Sequence, residues 1–337
     1  MKYEPQIGIA KRCRYRLEYF GLFLAGWLVQ RLPWRWLRPL GHFVGAVVFF
    51  FDRKRREVAF ANLQAAFGAT YDEQERKKIA KKSYQIFATT MLELLWSPRL
   101  TAATMDEIAD IDVADLRSSP KLEGVPVIYC CAHAANFEWT GQIAARYTNR
   151  FPVIAQKFKN PLIGKLFDRW RSSLGQEVIP QEQAMLKLFR YLKGGGKFGI
   201  LVDLNLKPHE GPVIVKMFDR LLTPLTRLPA ELALRTGALL VPVECLIKPR
   251  GGYTLRFLEP ITVTHESTVE SLTQAYWNIL ESSLQRHPEY WLWTYKHWRY
   301  KPSEPENDFY PFYANTFAPF DELILQQKSC ETKDPVS

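Results

Sequence analysis

Residues 125–138 read VPVIYCCAHAANFE, and the fold follows from how this stretch changes character. Residues 125–131 form a short apolar run beside Gly124 and Pro126. The run breaks at His133 and then takes on a helix-like pattern. A buried strand that stops at a polar turn and enters a helix puts side chains at the carboxyl edge of a sheet, where α/β enzymes build their sites. Asn136 is a good helix N-cap, which puts Glu138 in the first helical turn. On one continuous helix His133 and Glu138 would lie about 140° apart. With His133 on the preceding turn, the Glu138 carboxylate is expected to reach back to the imidazole. A carboxylate on one ring nitrogen raises the basicity of the other, which suits proton abstraction from an alcohol. A His beside an Asn and a Glu also fits a turn that merely satisfies its own polar groups, so the rest of the chain must decide.

Downstream the strand-helix alternation continues. Strands are predicted at 125–131, 152–156, 176–179, 198–202, 213–217, 239–245 and 253–257, and helices at 136–147, 161–174, 181–192, 224–235 and 268–286. This is an α/β layout with a largely parallel sheet. Upstream, residues 8–95 read as helical throughout, with Pro33 opening a new helix and Pro98 closing the last. Beyond about residue 301 the chain is polar and Pro-containing, which predicts a loosely packed tail. The expected division is a helical, membrane-associating region at 1–100, an α/β domain at 101–302 and a tail at 303–337.

The formal charge of +10 is concentrated at the amino end: residues 1–60 hold 12 basic and 4 acidic side chains, a net +8. Between these charges lie YFGLFLAGWLV at 19–29 and FVGAVVFFF at 43–51. Basic residues flanking apolar, Trp-bearing segments favour an anionic membrane surface over nucleic acid. Neither run reaches the roughly 20 residues of a spanning helix. An uncleaved anchor lying in the membrane interface is therefore expected, since no small-x-small cleavage site follows the apolar run. The cysteines, 5 in number, lack metal-type spacing and read as buried free thiols.

KGGGK at 193–197 is not a phosphate loop, because a helical pattern precedes the glycines and a strand follows them. A helix C-cap explains it. Neither a G-x-S-x-G elbow nor an H-E-x-x-H zinc helix occurs anywhere in the chain. Other stretches stand out from generic surface. NPLIGKLFDRWRSSLG at 160–175 is a Pro-started helix whose Arg169 and Arg171 cannot share a face, so at least one is free to point toward a site. Asp203 follows the strand GILV, at the same sheet edge as His133 in a parallel layout. HPEYWLWTYKHWRY at 287–300 reads either as core with an interfacial belt or as the rim of a lipid headgroup site.

Together these blocks resemble the late acyltransferases of lipid A biosynthesis, the lauroyl/myristoyl transferase family within the lysophospholipid acyltransferase-like superfamily. The family's H-x4-E motif is matched by His133, Asn136 and Glu138 in HAANFE. Its NP-starting block with a later Arg is matched by Asn160, Pro161 and Arg171, its strand-then-Asp block by Asp203, and its late Trp-rich block by HPEYWLW. The likeness extends over roughly residues 10–302, including NLQAAFG at 62–68. The chain departs from the family in having Ala135 where Gly often precedes the Asn, and Leu204 where Gln often follows the Asp.

The resemblance implies a glycerol-3-phosphate-acyltransferase-like fold and acyl transfer from an acyl carrier protein thioester to a hydroxyl of a membrane glycolipid at the cytoplasmic face of the bacterial inner membrane. His133 would be the general base and Glu138 its orienter. Asn136, Arg171 and Asp203 would contact substrate, with Arg171 binding either the developing oxyanion or a phosphate of the acceptor and the helix N-terminus supplying further donors to the oxyanion. Neither metal, cofactor nor covalent enzyme intermediate is required. Acyl carrier proteins are acidic, so the basic face suits docking as well as lipid. Two other readings stay open: acylation of another glycolipid, aminolipid or lysophospholipid, and a non-catalytic lipid-binding protein that has kept the fold.

Overall fold

The computed structural model describes residues 8–112, 124–146, 151–155, 157–180, 184–303 and 309–331. The outer ends of three expected elements, at Tyr147, Gln156 and Gln181, lie outside them. The strands are β1 (Ala109–Asp112), β2 (Val127–Cys131), β3 (Phe151–Ala155), β4 (Gln176–Pro180), β5 (Lys197–Leu201), β6 (Val213–Met217), β7 (Leu221–Leu225), β8 (Leu239–Ile247) and β9 (Tyr253–Phe257), followed by the short pair β10 (Tyr300–Lys301) and β11 (Asn315–Thr316). The main sheet has 7 strands in the order β1-β9-β8-β2-β5-β3-β4. All its pairings are parallel except β8 with β9. The expected α/β class with a mostly parallel sheet is what the chain forms.

Central β2 is buried along its whole length, as a strand covered on both faces must be. Its side chains divide by the period of 2. Ile128 and Cys130 join the core that contains Phe198, Trp277 and Trp291, whereas Val127, Tyr129 and Cys131 join the one that contains Leu94, Trp139 and Trp170. The flanking helices are α1 (Ile9–Val29), α2 (Leu37–Phe51), α3 (Arg53–Phe67), α4 (Glu73–Trp96), α5 (Ala102–Ile108), α6 (Phe137–Arg146), α7 (Pro161–Arg171), α8 (Ala184–Lys193), α9 (Leu228–Thr236), α10 (Val269–Arg286) and α11 (Ala318–Glu331). Helix α4 starts from a capping box: Glu75 N–H donates to Asp72 Oδ1 at 2.8 Å, and Asp72 N–H to Glu75 Oε2 at 2.8 Å. The KGGGK stretch is the C-terminal turn of α8, with Gly195 at a φ of 77°.

Two expectations fail. Residues 213–217 do not join the main sheet, and the helix expected from 224 begins only at Leu228. Instead β6 and β7 form a separate antiparallel hairpin, with Ile214 opposite Pro224. Its turn puts Phe218 and Asp219 at φ values of 47° and 61°. Such turns usually carry Asn-Gly or Asp-Gly, and Phe-Asp gives no comparable signal. The tail is not loose where it is described. Phe320, Tyr310 and Tyr313 are buried, and the Tyr313 hydroxyl donates to Asn62 Oδ1. Gln327 of α11 pairs with both the N–H and the carbonyl of Ile214, at 2.9 Å each. The aromatic run YPFYANTFAPF supplied apolar payload that its Pro and Asn residues concealed.

Helix α2 meets α4 through Gly41 and Gly45, which share one face of α2. A Cβ at Gly45 would lie 2.5 Å from Gln85 Cα, and one at Gly41 2.6 Å from Thr89 Cα. The backbones therefore touch, and neither glycine tolerates a methyl. Gly45→Ala is expected to lower stability by about 1–3 kcal/mol through overpacking. Gly21→Ala is the control: nothing stands within 4 Å of it. It should be neutral or stabilising by up to about 1 kcal/mol. Equilibrium denaturation of the two variants checks the pair.

Candidate active site

Strands β2 and β5 are parallel neighbours with Cys131 opposite Leu201. His133 and Asp203 each stand two residues past this level, so register alone brings them face to face. The His133 ring Nδ1 lies 2.7 Å from Asp203 Oδ1, and the His133 backbone N–H donates to Asp203 Oδ2 at 3.0 Å. Trp291 Nε1 donates to the same Oδ2 at 2.8 Å. Burial alone drives the Asp203 carboxyl up, but the charge and hydrogen bond of His133, the nearby His297 and the Trp291 N–H outweigh it and bring it down to about 2. Asp203 is thus a fixed anion behind the imidazole, and it sets the tautomer that leaves Nε2 as the basic nitrogen.

The expected Glu138–imidazole contact is not formed. Glu138 is held by Arg171, whose Nε donates to Oε2 at 2.8 Å and whose Nη2 donates to Oε1 at 2.6 Å. The reason is geometric. From the first turn of α6 the Glu138 side chain points toward α7, while the turn before α6 carries His133 across to β5. Burial opposes the Arg171 charge, but the hydrogen bonds and charge of Glu138 more than offset this and hold the guanidinium pKa above its usual value. Arg171 turns inward whereas Arg169 is exposed, as their spacing on one helix requires.

Asn136 is also placed differently from its expected substrate role. It is wholly buried, its Oδ1 caps α6 by accepting from Trp139 N–H at 2.9 Å, and its Nδ2 donates to Glu93 Oε2 at 2.6 Å. The cap is as the sequence predicts, but the side chain is spent on structure. Glu93, which gave no signal in the sequence, also accepts from Trp34 Nε1 at 3.2 Å and from the Tyr253 hydroxyl. Just before the cap, Ala135 has a φ of 48°, a conformation in which Gly is at ease and Ala is strained.

His133, Glu138 and Arg171 line a cavity of about 670 Å³ that runs back over the sheet past Tyr129, Val153 and Phe257. Asp203 and Asn136 stand behind its wall. The Phe137 ring lies 4.9 Å from the His133 ring at the cavity edge. Cys131 also lines the cavity, but burial pushes its thiol up to about 12, with Cys245 and Asp203 adding to the effect. A thiol so far from ionisation is no nucleophile near neutral pH. The Trp-rich stretch is core rather than rim: Trp291, Trp293, Trp298 and His297 are wholly buried, and only Tyr295 and Arg299 of this stretch reach the cavity. The arrangement thus offers one supported base, one pinned guanidinium and a long apolar groove.

Residues 10–300 match the family model described as bacterial lipid A biosynthesis acyltransferase. The chain belongs to that family. It is 25% identical to the lipid A biosynthesis lauroyltransferase of Escherichia coli (strain K12), over 86% of this chain and 93% of that protein. It is 23% identical to the palmitoleoyltransferase of the same strain, again over 86% of this chain and 93% of that one. The phosphatidylinositol mannoside acyltransferase of Mycobacterium tuberculosis (strain CDC 1551 / Oshkosh) is 26% identical over 52% of this chain and 55% of its own length. This family member is an acyltransferase, and the base, guanidinium and apolar groove are to be read as parts of that chemistry.

Glu93 makes the turn between β2 and α6 sensitive to pH. Burial drives its carboxyl up to about 7, against the pull of the hydrogen bonds from Tyr253, Trp34 and Asn136. The folded state therefore holds a proton that the unfolded chain releases above pH 4.5, the ordinary value for a glutamate. The stability linked to this proton is complete below that pH and is lost as pH rises through about 7. Denaturant titrations at pH 5 and pH 8 should show a loss of up to roughly 3 kcal/mol from this group at the higher pH. In Glu93→Gln that component of the pH dependence should be absent.

Proposed function

We propose that the enzyme transfers an acyl chain from an acyl carrier protein thioester to a hydroxyl of a lipid A precursor, at the cytoplasmic face of the inner membrane. The observation that carries this reading is the His133–Asp203 pair at the edge of the apolar cavity, in a chain of an acyltransferase family. In the proposed reaction His133 Nε2 takes the hydroxyl proton as the oxygen attacks the thioester carbonyl. The C–O bond forms, and the negative charge moves to the former carbonyl oxygen. Arg171 and the free N–H groups at the start of α6 are the donors for that oxyanion. Collapse breaks the C–S bond, and the imidazolium returns its proton to the departing thiolate. Asp203, ionised throughout, stabilises the imidazolium without taking its proton. The cavity accommodates the donor acyl chain, and Glu138 fixes the position of Arg171.

Membrane attachment through the amino-terminal helices is part of the same proposal. No helix among the described residues is long and apolar enough to cross a membrane. Helices α1 and α2 instead expose Leu17, Phe20, Trp27, Phe43, Phe50 and Phe51, interspersed with Arg and Lys. That pattern suits a helix lying at the lipid interface. The excess of basic charge suits both an anionic leaflet and an acidic carrier protein. A different glycolipid acceptor is the second reading, favoured by the partial likeness to the mannoside acyltransferase. Mass spectrometry of lipids from a deletion strain, with and without the restored gene, decides between the acceptors.

Purified variants test the mechanism with acyl carrier protein thioester and lipid A precursor. His133→Ala is expected to lose about 10²–10⁴-fold in turnover, the usual contribution of a general base. Asp203→Asn should fall by a similar factor, because the imidazole loses its tautomer and its counter-charge. Glu138→Gln should retain more activity but lose about 3 kcal/mol of stability, because Arg171 is left without its buried partner. If Glu138→Gln proves as inactive as His133→Ala while Asp203→Asn is silent, the orienting role belongs to Glu138 after all.

Soluble enzyme should co-sediment with vesicles containing phosphatidylglycerol. Phe50→Glu with Phe51→Glu should weaken that binding without changing the thermal melt. Binding that is indifferent to these exposed positions contradicts the interfacial role of α2.

A further inference from the structure

A second cavity lies apart from the sheet, enclosed by α2, α3, α4 and the stretch after Trp291. It holds about 210 Å³ and is lined mainly by Val48, Tyr84, Phe87, Ala88, Met91 and Leu292, with Arg55 at its edge. This is space for several water molecules, yet its walls are mostly apolar. Ser83, Tyr84 and Thr294 interrupt them, and Ser83 is spent on the Trp291 carbonyl at 2.6 Å. Tyr84 is only 6% exposed, and its hydroxyl is buried with no hydrogen-bond partner among the described residues. A buried hydroxyl in that condition is unusual and calls for an acceptor from outside the chain.

The surroundings indicate what that acceptor belongs to. Val48, on the cavity wall, is exposed, as are Val47, Phe50 and Phe51 beside it on α2. The chain then passes directly into Arg53, Lys54, Arg55 and Arg56 of α3. Apolar side chains followed at once by cations mark the level at which a bilayer changes from acyl chains to phosphates. Asp52, the acidic residue at this junction, caps α3 by accepting from Arg55 N–H at 3.1 Å, and its other oxygen meets the Arg55 guanidinium at 3.5 Å in an exposed pair that leaves the other guanidinium nitrogens for a head group. The cavity is also close to the imidazole. Phe87 on its wall stacks on Phe137 with ring centroids 6.5 Å apart, and Phe137 in turn lies 4.9 Å from the His133 ring. This pair of rings separates the second cavity from the catalytic one.

We propose that this cavity seats one acyl chain of the acceptor lipid, with an ester carbonyl accepting from Tyr84 and an anionic head group at Arg55. The proposal rests on the reading of the enzyme as a lipid acyltransferase and names a second place where the acceptor is held. An acceptor with several chains must present a single hydroxyl to His133 while its other chains are kept out of the donor groove. A seat on the far side of the Phe87–Phe137 pair does this, and it opens where the lipid would leave the bilayer.

Two variants and a label test it. Ala88→Phe fills the cavity, and Arg55→Ala removes an exposed cation without disturbing packing. In each, the KM for lipid A precursor should rise about tenfold, equivalent to about 1.4 kcal/mol, while the KM for the thioester donor stays within about twofold. In vesicles of phosphatidylcholine and phosphatidylglycerol, a phosphatidylglycerol with a diazirine at one chain end should label residues 84–91. Added lipid A precursor should displace it. An unchanged acceptor KM in Arg55→Ala overturns the proposal, as does labelling confined to other residues. Labelling that persists against saturating precursor also overturns it, because the occupant is then a bilayer phospholipid. Should Ala88→Phe fail to fold, Arg55→Ala and the label position still decide. Absence of turnover with lipid A precursor would instead count against the acceptor proposed above, since labelling requires no chemistry.

Discussion

A carboxylate with no solvent exposure is the constraint on which this molecule turns. Removing Asp203 from water costs several kcal/mol unless charge and hydrogen bonds replace the lost hydration. Here the replacement is complete: a ring nitrogen and a backbone N–H from His133, and the indole N–H of Trp291. Trp291 must then stay in place, and much of the aromatic core serves that end. His297 stacks on it at 3.8 Å and Trp293 meets it edge-on at 4.9 Å, while Ser83 donates to its carbonyl at 2.6 Å. Burial brings the His297 imidazole down to about 4, against the opposing pull of the Asp203 charge, so His133 is the principal counter-ion of Asp203.

The long helix α4 supports the same turn from the other side. Ser83 holds the Trp291 carbonyl, Thr90 holds the Ala135 carbonyl at 2.9 Å, Glu93 holds Asn136, and Ser97, just past the helix end, accepts from Trp139 Nε1 at 2.9 Å. Their spacing places these residues along one face of the helix, so a single polar stripe fixes the strained residue, the cap and the first turn of α6. The glycine contacts that draw α2 against α4 connect this support to a helix that exposes Phe43, Phe50 and Phe51. A displacement of α2 is therefore mechanically close to the imidazole.

What was legible in the sequence was whatever a local period or cap determines. The strands and helices around His133 follow from such patterns, and the inward turn of Arg171 follows from its offset from Arg169. Even the meeting of His133 with Asp203 was half legible, because both follow apolar strands and parallel strands end on the same edge. The missing half was adjacency: nothing local says that β5, rather than some other strand, lies beside β2. Without it, the nearest carboxylate in sequence, Glu138, took the role that belongs to one 70 residues away. The α4 stripe was hidden for a related reason. Ser, Thr and Glu on a helix read as a solvent face until the partners that bury them are known. The β6–β7 hairpin escaped because its turn uses Phe and Asp at positive φ, where sequence patterns look for Gly and Asn.

For the proposed reaction, the same adjacency explains how a thioester could wait in this site without being consumed by the protein. A transferase with a strong base beside a reactive acyl group must not supply its own nucleophile. The side chain best able to do so is Cys131, which lines the cavity and stands two residues before His133. Its thiol is pushed up to about 12 by burial, and the Asp203 anion that supports the base adds to the effect. One buried charge thus acts in two directions. It holds the imidazole through Nδ1, and it disfavours the loss of a proton from the Cys131 sulfur. In the proposed reaction the base is then directed to the hydroxyl that the acceptor brings.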